Sequence, residues 1–495
     1  MDKLLTKTQK RQLHLIEYLI DKKKAGKYST FSELNEVLNS TERVLKNDIN
    51  YINTNLDQFH ISEIEGTIFI ETTENMSIET VYHFFFDKSI SFNLLEYIFI
   101  HKDIEIEKLA DKFFFSTPSL YRIINDTNKI IKSRYNIKIK THPLAIGGDE
   151  EEVRYFFSQY FSEKYYFLEW PFENIEEKDI EKLIVYFHKP TNYRLEFASF
   201  EFLKTYFAIT IHRIKQGYTI TKKNNASYYY ELYNTFSDYK EHIEYFEKKF
   251  NIKFNLETFE QLFIVFAQNN FYFTYDQMYK DSFRNDYTKK SLDFLKDFIY
   301  NMGKDFNLII PNFDDLVLHL HNTAHLGQFE AFSNYILFNK KEVIIKFIKK
   351  SLPKLYKKAK IHIENYIKLL NIDFNETIVN HMIYTLFTHW ENLYEETRKK
   401  EKELKVLVIS NFDLAHPHAM LDVIKHYCSD KISFEVFSDF SLSVEWLNNS
   451  KYDVILSNFY IEGISNEKTF ICSVNYDMLD IADKLNRLSA KLISF

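Results

Sequence analysis

The sequence predicts a mainly α-helical protein of several domains: tandem winged helix-turn-helix modules, then two all-helical domains, then a small α/β domain at the C-terminal end. Three observations lead there. At 495 residues the chain is too long for one hydrophobic core, and about 150 residues per domain implies three domains or more. Only 8 residues are Gly and 7 are Pro, where average usage would place roughly 35 and 25, so turn-formers are scarce and helices dominate. Finally, apolar residues recur at helical spacing from about 155 to 400, and from Leu404 they gather instead into short, strand-like runs.

The N-terminal elements follow in order. Leu13, Ile16, Leu19 and Ile20 mark a helix over residues 7–24, closed by three lysines that suit the negative end of its dipole. Thr30-Phe31-Ser32-Glu33 is a capping box for a short second helix. A third helix, about Thr41–Leu56, has two faces. Val44, Leu45, Ile49, Ile52 and Leu56 form the apolar one; Arg43, Lys46, Asn47, Asn50 and Thr54 form the other. Arg can read guanine edges, Asn can read adenine and Lys serves phosphates, so Arg43, Lys46, Asn47 and Asn50 are candidate DNA contacts. HISEIEGTIFIE then alternates apolar and polar around Gly66, as a two-stranded wing would. The competing reading is a helical bundle with a solvated face.

The layout recurs. Asn93–Ile100 and Ile104–Phe113 precede Ser116-Thr117-Pro118, a cap with proline in the first turn. In the helix that follows, Leu120, Ile123, Ile124, Thr127, Ile130 and Ile131 face inward, and Ser119, Arg122, Asn125, Lys129 and Lys132 face outward as further candidate DNA contacts. NIKIKTHPLAIGG supplies a second hairpin. Overall charge is −7, so any nucleic-acid argument must be local; Phe115–His142 carries six basic residues against one acid. The first 60 residues hold ten basic and eight acidic groups.

The two cysteines, Cys428 and Cys472, have no metal-like spacing and read as reduced thiols. There is no signal-peptide core and no run of about 18 apolar residues, so the expectation is a cytoplasmic protein without a membrane segment. His321 and His325 lie one helical turn apart without a third ligand, and neither a metal nor a cofactor is expected. No Walker loop, dinucleotide fingerprint or nucleophile–base spacing points to an enzyme.

The segments Ser40–Ile49 (STERVLKNDI) and Pro143–Arg154 (PLAIGGDEEEVR) resemble the Mga/AtxA family of Gram-positive virulence regulators. The resemblance implies five domains, placed at 1–74, 75–160, 161–286, 287–400 and 401–495. They are two winged helix-turn-helix modules, two regulatory domains of the sugar phosphotransferase system, and a domain like that system's IIB component. It implies a regulator that binds double-stranded DNA, pairs as a homodimer through the C-terminal domain, and accepts phosphate on histidine from the phosphocarrier protein. His389 in TLFTHWENL matches such an acceptor best, with His321 as the second candidate. In the earlier regulatory domain Tyr206 and Phe266 stand where acceptors would fall, and His212 reads as structural. The IIB-like loop, Asn411–His416, has no cysteine, so that domain is expected to serve as scaffold or dimer contact. An RNA-binding antiterminator with the same regulatory domains is the alternative, as is a regulator acting through protein contacts alone; the helix-turn-helix pattern favours DNA.

Overall fold

The structure, a computed structural model, describes residues 1–24, 26–166, 169–188, 197–221, 233–234, 236, 239–264, 271–326, 335–372, 374–400, 402–413, 415–472 and 478–491. The chain divides into two units, residues 1–277 with 324–340 and residues 278–323 with 341–495.

In the first unit, α1 (Lys7–Lys24) buries Leu13, Leu15, Ile16, Leu19 and Ile20. The short α2 (Phe31–Val37) starts at Thr30, whose side chain accepts from the Glu33 N–H, one half of the expected capping box; the Glu33 carboxylate turns instead to the Tyr18 hydroxyl and Lys22 of α1. Asn39, at a φ of 45°, ends that run before α3 (Glu42–Asn55). Strands β1 (Ser29–Thr30), β2 (Phe59–Ile64) and β3 (Thr67–Thr72) form an antiparallel sheet in the order β1-β3-β2. Glu65 and Gly66 join β2 to β3 with φ of 49° and 77°, the pair of positive values that a tight hairpin needs.

The second module repeats the plan with α4 (Ile78–Lys88), α5 (Ile90–Ile100), α6 (Ile106–Lys112) and α7 (Thr117–Lys132), then the antiparallel hairpin β4 (Ile137–Thr141) and β5 (Leu144–Gly148). Ser116 caps α7 by accepting from the Ser119 N–H. Asp149 caps α8 (Glu150–Lys164), whose aromatic face packs into the same core: Phe157 stacks on Phe99 at 3.9 Å between centroids. Helices α9 (Glu177–His188), α10 (Phe197–Lys215), α11 (Lys240–Phe250), α12 (Leu256–Phe263) and α13 (Tyr275–Asp281) follow.

The second unit holds α14 (Asp286–Phe306), α15 (Phe313–Leu326, which runs across the division), α16 (Lys340–Ser351), α17 (Pro353–Leu369), α18 (Glu376–His389) and α19 (Leu393–Lys399). Its C-terminal part is a parallel sheet in the order β7-β6-β8-β9, from β6 (Leu404–Ile409), β7 (Ile432–Val436), β8 (Val454–Ser457) and β9 (Thr469–Cys472). Helices α20 (Ala415–Tyr427), α21 (Val444–Asn449) and α22 (Met478–Lys491) connect and flank it. The scarcity of glycine has a visible remedy. Among the described residues other than glycine, eight have positive φ and five of these are asparagines, including Asn251 and Asn307 directly after α11 and α14. Asparagine tolerates the left-handed conformation that closes a helix, so it does glycine's work here. No described helix is long and apolar enough to cross a membrane.

Candidate nucleic-acid interface

The outward stripe of α3 is where its spacing predicts. Leu45, Ile49 and Ile52 are buried, while Arg43, Lys46, Asn47 and Asn50 are exposed. Asp48 is the unforeseen member: it is buried, and its carboxylate takes Arg11 Nε at 2.6 Å and Gln12 Nε2 at 3.0 Å, tying α3 to α1. Lys46 is exposed but paired on the surface. Its Nζ lies 2.7 Å from Glu42 and 3.5 Å from Glu63 on β2, and the Glu42 hydrogen bond holds its pKa above the ordinary lysine value. The hairpin tip carries Glu63, Ile64 and Glu65, all exposed.

In α7 the stripe divides. Arg122, Asn125, Lys129 and Lys132 are exposed, whereas Ser119 is half-buried and its hydroxyl accepts from Ser116 Oγ at 2.9 Å. Lys129 pairs with Asp126 at 3.1 Å on the surface. Arg122 and Lys132 have no acidic partner among the described residues, and neither do Lys138 and Lys140, which alternate outward along β4. The Lys140 stem lies across Gly147 on β5, where a Cβ would fall 2.3 Å from Lys140 Cε and displace the flexible end of the lysine.

One device recurs in both modules and escaped the reading of the sequence. Asn53 of α3 donates to the Ile61 carbonyl and accepts from the Ile61 N–H, both at 2.8 Å. Asn128 of α7 does the same to Ile139, at 2.9 and 2.7 Å. The two asparagines hold the same place counted from Glu42 and Thr117, the first residues of their helices. An amide side chain can pair with both groups of one peptide-edge residue, so each clip fixes its hairpin against its helix. The matching asparagines were the available signal.

Behind this surface, α8 and α10 form a buried polar joint. Glu150 accepts from Arg154 Nε at 3.0 Å and from Arg213 Nη2 at 2.5 Å; both arginines are fully buried. Arg213 also donates to the Ile146 carbonyl of β5, and Arg154 to Gln261 of α12. His212 bonds the Phe99 carbonyl of α5 at 3.0 Å, and burial holds its pKa below the ordinary histidine value. The first regulatory region is thereby bonded to the second module, and His212 is structural. Tyr206 is buried; Phe266 lies outside the described residues.

In the second unit, His389 closes α18 half-exposed. Its ring lies 4.4 Å from that of His319 on α15, and its Nδ1 is 3.1 Å from Thr388 Oγ1. Asn312 holds the end of this helix, donating to the His389 carbonyl and accepting from the Glu391 N–H. His321 is fully buried, with Nδ1 2.6 Å from Ser291 Oγ, which also bonds Tyr366. So the half-exposed neighbour of His389 is His319, which the sequence motif did not single out. His381, about two turns earlier on α18, is buried, and its pKa is depressed to about 3, first by burial and then by Lys341.

At the carboxyl end of β6 the loop that follows the strand is tied by side chains: Ser410 Oγ lies 2.9 Å from His416 Nδ1, and Asn411 and Asn458 bond each other across the ends of β6 and β8. Cys428 sits at the far end of α20, where burial pushes its thiol up to about 11, so it is not a thiolate nucleophile.

Comparison with known proteins matches this order of parts. Residues 6–67 match the M protein trans-acting positive regulator (MGA) helix-turn-helix domain, residues 74–161 the Mga helix-turn-helix domain, and residues 176–393 the PRD domain of the same regulator. A protein of Streptococcus pneumoniae serotype 4 described as a trans-acting regulator is 35% identical over 99% of both chains. Two capsule synthesis positive regulators of Bacillus anthracis are also similar: AcpB, 21% identical over 61% of each chain, and AcpA, 26% identical over 45% of this chain and 47% of its own. With both helix-turn-helix domains, the PRD region and a full-length relative in register, the chain belongs to the Mga family of trans-acting positive regulators.

Proposed function

We propose that the protein is a DNA-binding transcriptional activator that grips the duplex chiefly through its second helix-turn-helix module. The observation that carries this is the set Arg122, Lys132, Lys138 and Lys140: four exposed cations on α7 and its hairpin, without acidic partners among the described residues, over a rigid buried core. A helix in the major groove flanked by a basic hairpin suits phosphates on both sides of the groove. On α3, Arg43, Asn47 and Asn50 read bases, while Ser119 supports the cap of α7. The relatives named as positive regulators favour activation. The direct test is a mobility shift of an AT-rich duplex by the full chain. Binding of a single-stranded RNA hairpin in preference to the duplex would favour the antiterminator reading instead.

Regulation enters at His389. A phosphoryl group passed from the phosphohistidine of the carrier protein to this half-exposed ring would place negative charge beside His319, a charge change able to bias helix packing. His321, fully buried against Ser291, is the poorer acceptor. Incubating the chain with the phosphocarrier protein and its phosphoenolpyruvate-dependent donor should yield acid-labile label at His389, absent from His389→Ala. Label confined to other residues would overturn the assignment. Residues 401–495, folded but without a cysteine in the loop, serve to pair two copies, and sedimentation of a chain ending near residue 400 should show monomer.

A further inference from the structure

Residues 335–339 lie between α15 and α16 in sequence and, with Lys340, pack in the first unit. Ile336 is fully buried in that unit's core, and Leu337 and Phe338 pack against it. One side chain holds the backbone here. The carboxylate of Glu163, near the end of α8, accepts the N–H groups of Ile336, Leu337 and Phe338, the last two at 2.8 and 3.1 Å. Three successive N–H groups converging on one carboxylate form an anion nest. Aromatic and ionic contacts flank it. Phe338 stacks on Tyr82 of α4 at 4.5 Å and 21°, Lys340 pairs with Glu79 of α4 at 2.7 Å, and the Arg134 guanidinium lies 5.6 Å over the Tyr335 ring. Burial pushes the Glu163 carboxyl up to about 7 even against its three donors. Nothing in DNA contact or histidine phosphorylation needs this arrangement.

We propose that Glu163, Tyr82 and Arg134 form an intramolecular docking site whose ligand is the 335–338 segment, and that the docked segment restrains DNA binding by occupying Arg134. The restraint rests on the reading of α7 as the DNA contact. Arg134 stands two residues beyond α7 and is one of the six basic groups counted over Phe115–His142. Docked, its guanidinium stays exposed but is oriented over Tyr335; released, it can turn to a phosphate beside Arg122, Lys132, Lys138 and Lys140.

The test uses the full chain and two readouts: amide hydrogen exchange at Ile336–Phe338, and the salt dependence of affinity for a mixed-sequence duplex. Glu163→Ala should speed exchange at these three amides at least tenfold and leave the buried amides of α7 protected. It should also steepen the salt slope by about 0.9, one added phosphate contact. Glu163→Ala with Arg134→Ala should exchange as fast but lose the extra slope. Phe338→Ala, which leaves the carboxylate in place, guards against misfolding and should act in the same direction. Unchanged exchange in Glu163→Ala and Phe338→Ala would overturn the docking site. Faster exchange with unchanged slope would overturn the restraint. A wild-type chain that binds no duplex would sink the DNA reading and the restraint together, with exchange still deciding the docking.

Discussion

In the first helix-turn-helix module Lys46 is held by Glu42 and Glu63 and the hairpin ends in Glu63 and Glu65, whereas in the second the hairpin presents Lys138 and Lys140 beside Arg122 and Lys132. The plans are otherwise parallel: a short helix, a two-faced helix, a hairpin, and an asparagine clip from helix to hairpin. The two modules share a framework and differ in charge. Since counterion release from phosphates supplies most non-specific affinity, the second module should dominate grip and the first contribute sequence preference through Arg43, Asn47 and Asn50.

The largest expected effect follows from removing the unpaired cations. Replacing Arg122, Lys132, Lys138 and Lys140 by Ala should lower the salt slope of duplex binding by about 0.9 for each group that reaches a phosphate. Fluorescence anisotropy across a salt series reads it directly. Next comes the clip. Asn128→Ala strands the N–H and carbonyl of Ile139, a cost of about 1–3 kcal/mol for each buried group left unpaired, seen as a lower denaturation midpoint. Asn53→Ala should destabilise similarly but cost less DNA affinity, because the hairpin it frees is acidic. Arg43→Ala should cost about 1–3 kcal/mol on the preferred site and broaden the sequences enriched from a random duplex pool. Lys46→Ala should be the smallest, within about 0.5 kcal/mol, because its charge is already matched. A large loss from Lys46→Ala would show that Glu42 and Glu63 release it on binding and would erase much of the asymmetry.

Much of this was legible beforehand, for physical reasons. The faces of α3 and α7 came from three- and four-residue spacing, and burial of Leu45, Ile49, Leu120 and Ile124 bears that out. The parallel sheet after Leu404 showed as runs of buried strand residues. What spacing cannot convey is partnership across the chain. The Lys46–Glu63 and Asp48–Arg11 pairs, the Glu150–Arg154–Arg213 joint and the approach of His319 to His389 join residues far apart in sequence. The resemblance places a domain boundary at 286/287. Chain order alone cannot show that 335–340 packs with the first unit, because that placement depends on Glu163 and Ile336.

The central claim, that the second module carries the grip, is tested most directly by comparing salt slopes for one mixed-sequence duplex bound by three full-length chains: wild type, the Arg122/Lys132/Lys138/Lys140 alanine variant, and an Arg43/Lys46 alanine variant. The account predicts a slope lowered by up to about 3.6 in the second-module variant and by about 0.9 or less in the first-module variant. Equal losses, or the larger loss in the first-module variant, would contradict it.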